Sequence, residues 1–322
     1  MTAPAPSAAL SATDRSPAAP SPANLSSAAA LEAVPPRRSP AARFLRRAGR
    51  NPSFMIGATV LAVIVAMALF APLITAYDPY DQDIARRLIP PVWHAKGSWE
   101  HWLGTDKLGR DYFARLVYGA RISLLIGIAT VIVSGLIGTA LGVAGGYFGG
   151  RVDMAIGYVV NVRLALPVVL IALAAAALVG SSLETVILVL GLLLWDRFAV
   201  VARSATMQVA HADYIAAARA IGCSTRRIVL SEVLPNILNP LIVVATLEMA
   251  HAILLEAALS FLGLGVQPPL PSWGLMIAEG KQFMFFSAWV IAIPGVALAS
   301  LVLAINLLGD GLRDVTAPEN RS

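Results

Sequence analysis

Residues 51–77 of this chain read NPSFMIGATVLAVIVAMALFAPLITAY and contain no Asp, Glu, Lys or Arg. The hydrocarbon core of a bilayer takes about 20 apolar residues to cross as an α-helix. This stretch is long enough, so it predicts a transmembrane helix. A cleaved signal peptide is the alternative, but the run starts far from residue 1 and exceeds the apolar region of about 7–15 residues typical of such peptides.

The chain before this stretch has two parts. Residues 1–40 are rich in Ala, Pro and Ser and poor in large apolar side chains, which predicts a disordered tail. A basic cluster then lies directly before the apolar run and consists of Arg37, Arg38, Arg43, Arg46, Arg47 and Arg50. Because basic residues favour the cytoplasmic side of a membrane, the cluster predicts a cytoplasmic N-terminus.

The composition of the whole chain agrees with a membrane protein. Of its 322 residues, 57% are hydrophobic and 13% are charged, and the mean hydropathy is +0.73, whereas about 25% of residues are charged in soluble domains. A net charge of +5 could indicate nucleic-acid binding, but the basic residues flank apolar segments instead of forming a patch on a soluble domain. The single cysteine, Cys223, excludes an intrachain disulfide, and no Cys/His spacing resembles a zinc site.

Five further apolar runs have the length of a membrane span. They lie at about 122–147, 154–179, 184–202, 236–262 and 287–309. Together with the first helix they predict an all-α polytopic membrane protein of six transmembrane helices, with both termini cytoplasmic. The predicted parts are a cytoplasmic tail (1–40), the first helix with a periplasmic segment (41–121), a transmembrane domain (122–312) that contains a cytoplasmic loop (203–235), and a cytoplasmic C-terminal tail (313–322).

The distribution of basic residues supports this topology with one exception. Those on the predicted cytoplasmic side include Arg203, Arg219, Arg226, Arg227, Arg313 and Arg321. The periplasmic segment 78–121 nevertheless contains seven, namely Arg86, Arg87, Lys96, Lys107, Arg110, Arg115 and Arg121. We retain the topology because the first helix usually sets the orientation.

Two features inside the spans predict helix contacts. Four glycines of the second span recur at every fourth residue: Gly138, Gly142, Gly146 and Gly150. This spacing places small residues on one helix face and lets a neighbouring backbone approach closely. Asp196 and Arg197 lie inside the fourth span. Since charges in a span are costly, we expect these two near its cytoplasmic end or paired across helices.

No phosphate-binding loop of the form G-x-x-x-x-G-K-[ST] occurs in the sequence, so ATP hydrolysis is not assigned to this chain. Gly263 and Gly265 follow a predicted helix instead of a strand, which argues against a dinucleotide site. The sequence therefore predicts no catalytic residues, no metal site and no cofactor in this chain, and the protein is not expected to be an enzyme.

The predicted cytoplasmic loop contains DYIAAARAIGCSTRRIVLSEVLPN at residues 213–236. Its alanines and Ile221 favour a short compact helix, which Gly222 ends. Ser224 can cap a second helix, and Pro235 can begin the following span. The pattern predicts a helix, a turn and a second helix that project from the membrane.

The same segment resembles the EAA loop, the signature of permease subunits in bacterial ATP-binding-cassette (ABC) importers. The residues that match its pattern are Ala217, Ala218, Gly222, Leu234 and Pro235. The resemblance implies that the short helix docks into a cleft on an ATPase subunit. Ala216 stands where the family has glutamate, and Ser231-Glu232 stands where Arg-His often precedes Leu-Pro. A charge contact to the ATPase is therefore missing or moved, with Asp213 and Arg219 as the candidates.

Three further blocks extend the resemblance over nearly the whole chain after residue 40. They read HWLGTDKLGRDYFARLVYGARISL (101–124), EAALSFLGLGVQPPLPSWG (256–274) and NLLGDGLRD (306–314). All three are similar to blocks in the second permease of dipeptide, oligopeptide and nickel importers. One departure lies in the third span, where that family usually has arginine and aspartate but this chain has Tyr158 and Asn161, with Arg163 nearby.

The resemblance implies the six-helix, MetI-like bundle of an ABC importer permease in the bacterial inner membrane. Besides membrane lipid, it implies three kinds of protein partner: a homologous second permease, two ATP-binding subunits that hydrolyse ATP, and a periplasmic or lipid-anchored substrate-binding protein. We expect no nucleic-acid partner. We expect that binding protein to contact segment 78–121 and loop 267–272. Family membership leaves the substrate open among dipeptides, longer peptides, glutathione and nickel chelates.

Four ionisable residues lie at or near membrane depth: Arg163, Glu184, Glu248 and Glu256. A charge in lipid costs about 2.5–3.5 kcal/mol, so they should face protein or water. Two interpretations stay open, because Arg163, Glu248 and Glu256 can either line the translocation path or pair across the interface between permeases. An ion-coupled secondary transporter that uses Glu248 or Glu256 is the alternative function, and a purely structural scaffold is another.

Overall fold

The structure is a computed structural model that describes residues 46–316. The predicted tail 1–40, the first three arginines of the basic cluster and Arg321 lie outside the described residues. Between residues 46 and 316 the regular structure is helical, apart from two isolated β-bridges. The predicted all-α class is therefore confirmed.

The helices form long, mostly apolar elements joined by short loops. In chain order they are α1 Pro52–Leu69, α2 Ala71–Ile74, α3 Tyr112–Phe148, α4 Gly150–Ala165, α5 Val168–Val179, α6 Leu183–Leu193, α7 Asp196–Ala210, α8 Asp213–Ala220, α9 Thr225–Arg227, α10 Leu234–Phe261, α11 Trp273–Gly280 and α12 Trp289–Thr316. A π-helical turn, Ile228–Val233, joins α9 to α10, and 3-10 turns lie at Ile84–Arg86 and Lys281–Phe283.

Each predicted span has a counterpart among these helices. Five stretches of the described chain are long and apolar enough to cross a bilayer: Pro52–Leu69, Tyr112–Phe148, Leu183–Ala210, Thr225–Phe261 and Trp289–Thr316. The pair α4 and α5 is a sixth if it crosses as one bent span, with an angle of 85° between its two helices. Six crossings bring the two ends of the described chain to the same side.

The order of the spans divides the loops between two ends of the bundle. One end carries the segment 211–224 and both ends of the described chain, where Asn51 Nδ2 donates a hydrogen bond to Asp314 at 3.2 Å. The opposite end carries the segments 70–111 and 262–288. We call them the 211–224 end and the 70–111 end.

The third span, predicted at about 154–179, is divided into two helices. α4 ends at Ala165, Leu166 is extended (φ −95°, ψ 130°), and α5 begins after Pro167. A proline ring clashes with a helical conformation of the residue before it. Leu166 therefore leaves the helix, and the chain turns by 85° at this point.

The second span begins about ten residues earlier than its apolar run, which was predicted to start at 122. Asp111 caps α3 by accepting a hydrogen bond from the N–H of Ala114 at 2.7 Å. Arg115 and Arg121 interrupt the apolar pattern but lie inside the helix. Hydropathy alone therefore placed the start of this helix too late.

The fourth span also extends beyond its predicted end at 202, to Ala210, and consists of α6 and α7. Arg203 ended the apolar run in the sequence. In the structure its Nη2 lies 2.6 Å from Oδ2 of Asp153 on α4. Ion pairing across helices thus lets α7 continue past a residue that hydropathy counts as unfavourable.

The glycine repeat of α3 brings its backbone against α7, as predicted. Cβ atoms on Gly138 and Gly142 would lie 2.2 and 2.5 Å, respectively, from carbonyl oxygens near the start of α7. Gly146 makes the same kind of approach at 2.6 Å. Gly150 does not belong to this face, because it lies beyond the end of α3 with open space around it. The repeat therefore ends at Gly146.

We expect Gly142→Ala to destabilise the chain by about 1–3 kcal/mol, because the added methyl group forces the backbones of α3 and α7 apart. Gly157→Ala on α4 is the matched control, since a Cβ atom there has nothing within 4 Å in the described chain. That variant should be neutral or slightly stabilising. The melting temperatures of both purified variants in detergent test the prediction, and equal values would contradict the close approach.

Candidate coupling segment and membrane-embedded charges

The short helix α8 is anchored to the spans by two side chains. Ile215 is fully buried in an apolar cluster with Ile228 and Val233 of the π turn. Arg219 places its guanidinium over the ring of Tyr147 at the end of α3, 5.0 Å from the ring centroid. These contacts fix α8 to two of the spans, so a force on this helix reaches both.

The outer face of α8 consists of small residues. Ala216, Ala217 and Ala220 are exposed, and Ile221, which follows the helix, is 81% exposed. Ala218 instead packs against the buried apolar cluster. An exposed apolar surface outside the membrane spans is typical of a contact site for another protein.

Gly222 ends α8 in the way the sequence predicts. Its φ is +83°, a left-handed conformation that other residues rarely adopt. The N–H of Cys223 donates to the carbonyl of Ala218, and the N–H of Gly222 donates to that of Arg219, both at 3.0 Å. These bonds satisfy carbonyls that the helix end leaves free. Backbone conformation and not crowding requires glycine here, since a Cβ atom on Gly222 would have nothing within 4 Å in the described chain.

The second helix of the loop continues directly into the fifth span, which corrects the prediction that Pro235 begins that span. Ser224 caps α9 as predicted, by accepting a hydrogen bond from Arg227 N at 3.4 Å. The helix then widens into the π turn Ile228–Val233 and continues through Pro235 into α10. A proline clashes with the preceding turn of a regular α-helix, and the wider π turn relieves that clash.

The residues predicted to couple this chain to an ATPase belong to the segment 213–236, which we call the coupling segment, and all lie at the 211–224 end. Those that are exposed are Asp213, Ala217, Arg219, Gly222 and Pro235, whereas Ala218 and Leu234 are partly buried. Asp213 stands at the N-terminus of α8, where the helix dipole favours a carboxylate. The two candidates for a moved charge contact, Asp213 and Arg219, are thus both accessible.

An apolar groove of about 700 Å³ lies between α3 and α10, next to the coupling segment. Its lining includes Val131, Leu136, Val143, Leu234, Leu238 and Ala245. Such a lining is unfavourable for water. The groove therefore suits lipid chains or an apolar helix of another subunit.

Glu248 is almost completely buried in α10 and lies close to two side chains of this chain. Its Oε1 lies 3.0 Å from Nη1 of Arg197 on α7, and its Oε2 lies 3.5 Å from Nδ1 of His251. The side chain of Glu248 is 1% exposed, whereas that of Arg197 is 58% exposed. Arg197 thus pairs across helices, which was one of the two predicted outcomes, and it stays open on its other side.

Glu256 is also buried, and its carboxylate holds the loop that follows α10. Its Oε1 accepts hydrogen bonds from the hydroxyls of Ser260 at 2.7 Å and Ser272 at 3.0 Å. Ser272 in turn caps α11 by accepting from the N–H of Leu275. The carboxylate therefore stabilises the start of α11. A place for Glu256 in the translocation path stays a prediction.

Arg163 and Glu184 lie at helix ends. Arg163 donates a hydrogen bond to the carbonyl of Leu193 at the C-terminal end of α6, where the helix dipole favours a cation. Glu184 is exposed in the first turn of the same helix, where the dipole favours an anion. Both charges therefore stabilise α6, whatever else they contact in an assembled transporter.

At the 70–111 end, a buried ion cluster joins the start of α3 to α11. Arg110 Nε lies 2.6 Å from Asp106, and Arg115 also pairs with Asp106. Glu279 of α11 lies 3.3 Å from Arg110 and 2.8 Å from Arg115. All four side chains are at most 11% exposed. The cluster fixes the block 101–124 to the other loop at this end.

The charges of this cluster hold the pKa of the Asp106 carboxyl below its ordinary value. Burial by itself raises this pKa, but the charges of Arg115 and Arg110, together with the backbone N–H groups of Arg110 and Leu108, outweigh it. Asp106 is therefore ionised at neutral pH.

We expect stability to depend on pH through Asp106. Because its pKa in the folded state lies below the unfolded value of about 3.9, the carboxylate contributes stability that is complete above about pH 4 and is lost as the pH falls through the folded-state pKa. Melting temperatures of the wild type and Asp106→Asn should therefore differ at pH 7 and converge as the pH falls through the folded-state pKa of Asp106. A difference that stays constant with pH would contradict this role.

The ion pairs also explain why basic residues lie at the end predicted to be periplasmic. Lys107 lies 3.5 Å from Glu279, and Arg86 lies 2.7 Å from Glu100. Arg121 donates to backbone carbonyls at the end of α1. With the two arginines of the buried cluster, five of the seven basic residues of segment 78–121 thus bind partners in this chain.

Both surfaces predicted to contact a binding protein lie at the 70–111 end. Segment 78–111 exposes Trp93, Trp99 and Trp102, and the loop exposes Gln267. Exposed aromatic residues are enriched at protein contacts and also at membrane interfaces. The contact itself stays a prediction.

Sequence reasoning missed two of these features. His251 lies three residues after Glu248 on the same helix, and that spacing was the available signal. Glu279 had no local signal, because its partner Arg110 lies 169 residues earlier in the chain.

Comparison with known families finds two matches. The model of the family described as "Binding-protein-dependent transport system inner membrane component" matches residues 136–322. The model of the "N-terminal TM domain of oligopeptide transport permease C" matches residues 39–91. The two matches include the coupling segment and the first span.

Two relatives are similar over most of their length. The di/tripeptide transport system permease protein DppC of Pseudomonas aeruginosa is 41% identical over 281 residues, which cover 87% of this chain and 93% of the relative. The dipeptide transport system permease protein DppC of Escherichia coli K12 is 42% identical over 286 residues, which cover 89% and 95%.

A solved structure shares the fold. A chain of the inward-facing MetNI methionine ABC transporter superposes with a TM-score of 0.52 and 21% sequence identity, over 64% of this chain and 98% of that chain. This likeness confirms the predicted MetI-like bundle.

Proposed function

Because this chain belongs to the family of inner-membrane components of binding-protein-dependent ABC importers, we propose that it is the permease subunit through which di- or oligopeptides cross the bacterial inner membrane. Members of this family are permease subunits and not enzymes.

The observation that carries the peptide proposal is the sequence identity of 41–42% to two permeases, one named for di/tripeptide transport and the other for dipeptide transport. It extends over nearly the whole of those relatives, and includes the loops as well as the spans. Glutathione and nickel chelates are alternative cargoes from the wider family. In such systems the binding protein selects the cargo, so uptake has to be measured directly.

We infer that the 211–224 end is cytoplasmic, with both termini on that side. Its exposed basic residues include Arg151, Arg226, Arg227 and Arg313. Most basic residues of the opposite end are instead engaged with partners in the chain. Basic residues near short loops favour the cytoplasmic side, which supports this orientation.

In the proposed mechanism, ATP is bound and hydrolysed by two partner subunits that bind the cytoplasmic loops of the two permeases, one of them on the exposed face of α8. Closure of those subunits displaces α8. The chain is helical from α9 through the π turn to the end of α10, so the displacement moves the fifth span. Through Ile215 and Arg219 it also moves the ends of the π turn and α3, which suits a rigid-body switch between inward-open and outward-open states.

A homologous second permease completes the proposed assembly. The bent pair α4 and α5 is largely uncovered, with Tyr158 71% and Leu178 87% exposed, and the polar Asn161 is exposed beside them. A polar side chain that faces lipid is unfavourable. The exposed Asn161 is therefore more favourably covered by a second permease than by lipid, which supports the heterodimer.

The experiment that tests the proposal is affinity purification of the tagged chain from its native membrane, followed by uptake measurements in proteoliposomes. We expect a second permease and ATP-binding subunits to co-purify, and a labelled dipeptide to accumulate when ATP and the binding protein are supplied. Accumulation of glutathione or a nickel chelate without any dipeptide would overturn the proposal that peptides are the cargo.

The ion-coupled alternative makes the opposite prediction. It expects the chain to purify alone and uptake to follow a proton or sodium gradient without ATP. Family membership decides against it, and Glu248 is already paired with Arg197. ATP-independent uptake that collapses with an ionophore would reinstate it.

A further inference from the structure

Arg197 lies at the centre of a membrane span with most of its side chain uncovered. It is the fifteenth of the 28 residues of Leu183–Ala210, and its side chain is 58% exposed. A charged residue facing lipid at this depth costs about 2.5–3.5 kcal/mol. This side of α7 must therefore face water or another protein in the assembled transporter.

Glu248 contacts Arg197 from the buried side of α7. Their charged groups approach to 3.0 Å, and the carboxylate is 1% exposed. Within the described chain neither oxygen of Glu248 has an aligned hydrogen bond. A guanidinium carries several N–H donors in a planar fork, so contact with Glu248 leaves donors of Arg197 available to a ligand.

The polar surface continues from Arg197 towards the 211–224 end. Arg197, Ser204 and Gln208 are exposed and lie seven and four residues apart, which places them on one face of α7. Of the described helices, α7 is the most strongly amphipathic. His251, 32% exposed, flanks the Arg197–Glu248 pair. Together they form a polar strip, interrupted by the exposed Val200, from the middle of the span to its 211–224 end.

We propose that this polar strip lines the conduit and that Arg197 binds the carboxylate of the passing peptide, with Glu248 as its positioning residue. The inference rests on the proposed peptide-permease function. Carboxylates match the guanidinium fork in shape and charge. A passing peptide has to bring its charged C-terminus through the centre of the membrane, and a guanidinium there offsets the loss of water around that charge.

Glu248 also limits how tightly the carboxylate binds. Conduction requires binding that is favourable enough for entry and weak enough for release. The negative charge of Glu248 beside Arg197 weakens the attraction of Arg197 for a second carboxylate. Fixed pairing with an acidic residue of the second permease is the competing explanation, and the two tests below separate them.

The first test measures access of water to the strip. Cys223 is the single cysteine of the chain, so Cys223→Ser gives a background for Ser204→Cys and Gln208→Cys. The matched control is Leu303→Cys on α12, where the wild-type side chain is 59% exposed. The assembled importer, without ATP, is treated with a membrane-impermeant thiol reagent added from the 211–224 side.

Thiols react as thiolates, which form in water and not in lipid. We expect Ser204→Cys and Gln208→Cys to be labelled at least about tenfold faster than Leu303→Cys. Equal, slow labelling of all three variants would overturn the proposal that the strip lines the conduit, because the strip would then be covered by protein or lipid.

The second test separates binding of a carboxylate from support of the fold. ATP-driven dipeptide uptake is compared, at saturating binding protein, for Arg197→Gln, Arg197→Lys and the double variant Arg197→Gln/Glu248→Gln. We expect Arg197→Gln to lower uptake at least about tenfold. The double variant should stay as low, because it still lacks the guanidinium, whereas Arg197→Lys should lie between Arg197→Gln and the wild type, because lysine keeps the charge but not the planar fork.

Restoration of uptake in the double variant would overturn the inference, since it would show that Arg197 serves to neutralise buried Glu248. Unchanged uptake in Arg197→Gln would overturn it as well. Failure of the proposed function looks different, because the wild type itself would then take up no dipeptide or recover no ATPase. Thiol labelling still reports on the conduit in that case.

Discussion

Replacing Gly222 with proline is expected to abolish recovery of the ATP-binding subunits and to reduce peptide uptake to the level of a strain that lacks the chain. Gly222 has a φ of +83°, and its N–H donates to the carbonyl of Arg219 at 3.0 Å. Proline fixes φ near about −65° and has no N–H. The turn that ends α8 cannot then form, and the exposed apolar face of α8 loses its orientation.

Two control variants keep this prediction specific. Gly222→Asn should retain most coupling, because asparagine tolerates the left-handed conformation better than other residues. Gly180→Pro makes the same change at the 70–111 end of the bundle. Gly180 ends α5 with a φ of +102°, and a Cβ atom there would have nothing within 4 Å in the described chain. That variant should still recover the ATP-binding subunits. Full recovery of these subunits with Gly222→Pro would show that α8 is not where they dock.

Replacing Asp106 with alanine is expected to destabilise the chain by about 3–5 kcal/mol, the range for a broken buried ion pair. Asp106 accepts from Arg110 and Arg115, whose side chains are 2% and 1% exposed, and from the backbone N–H of Leu108 at 2.8 Å. Without it, two buried guanidinium groups share Glu279 as their remaining carboxylate in the cluster. Thermal unfolding of the purified chain in detergent measures the loss.

Asp83→Ala is the matched control for this substitution. Asp83 also pairs with an arginine, Arg86, but the two side chains are 53% and 49% exposed. Exposed ion pairs contribute about 0–1 kcal/mol. If both variants unfold at the same temperature, burial does not determine how much the cluster contributes to the stability of the chain.

The coupling segment shows how far local sequence reasoning reaches. The left-handed turn at Gly222 and the cap at Ser224 were predicted from residue types, because both depend on backbone conformations that few residues favour. The uninterrupted passage from α9 through Pro235 into α10 was not predicted. It depends on a π turn, whose hydrogen bonding has no simple sequence signal.

The spans show the same limit. Their number and approximate positions followed from the length of apolar runs, since a bilayer sets one minimum length for every crossing helix. Their ends did not follow, because Arg115 and Arg203 are paired with carboxylates on other elements. Hydropathy counts each as an isolated charge.

The sequence alone determined that this chain is a helical membrane protein with two short helices between its fourth and fifth spans and a glycine face on its second span. Each of these conclusions rests on neighbours in the chain, where spacing and hydropathy are physically decisive. Only the tertiary structure decided that Asp106 and Glu279 share two buried arginines, and that Glu248 of α10 meets Arg197 of α7. A buried charge is stable only beside its partner, and which residues become partners depends on how distant helices pack.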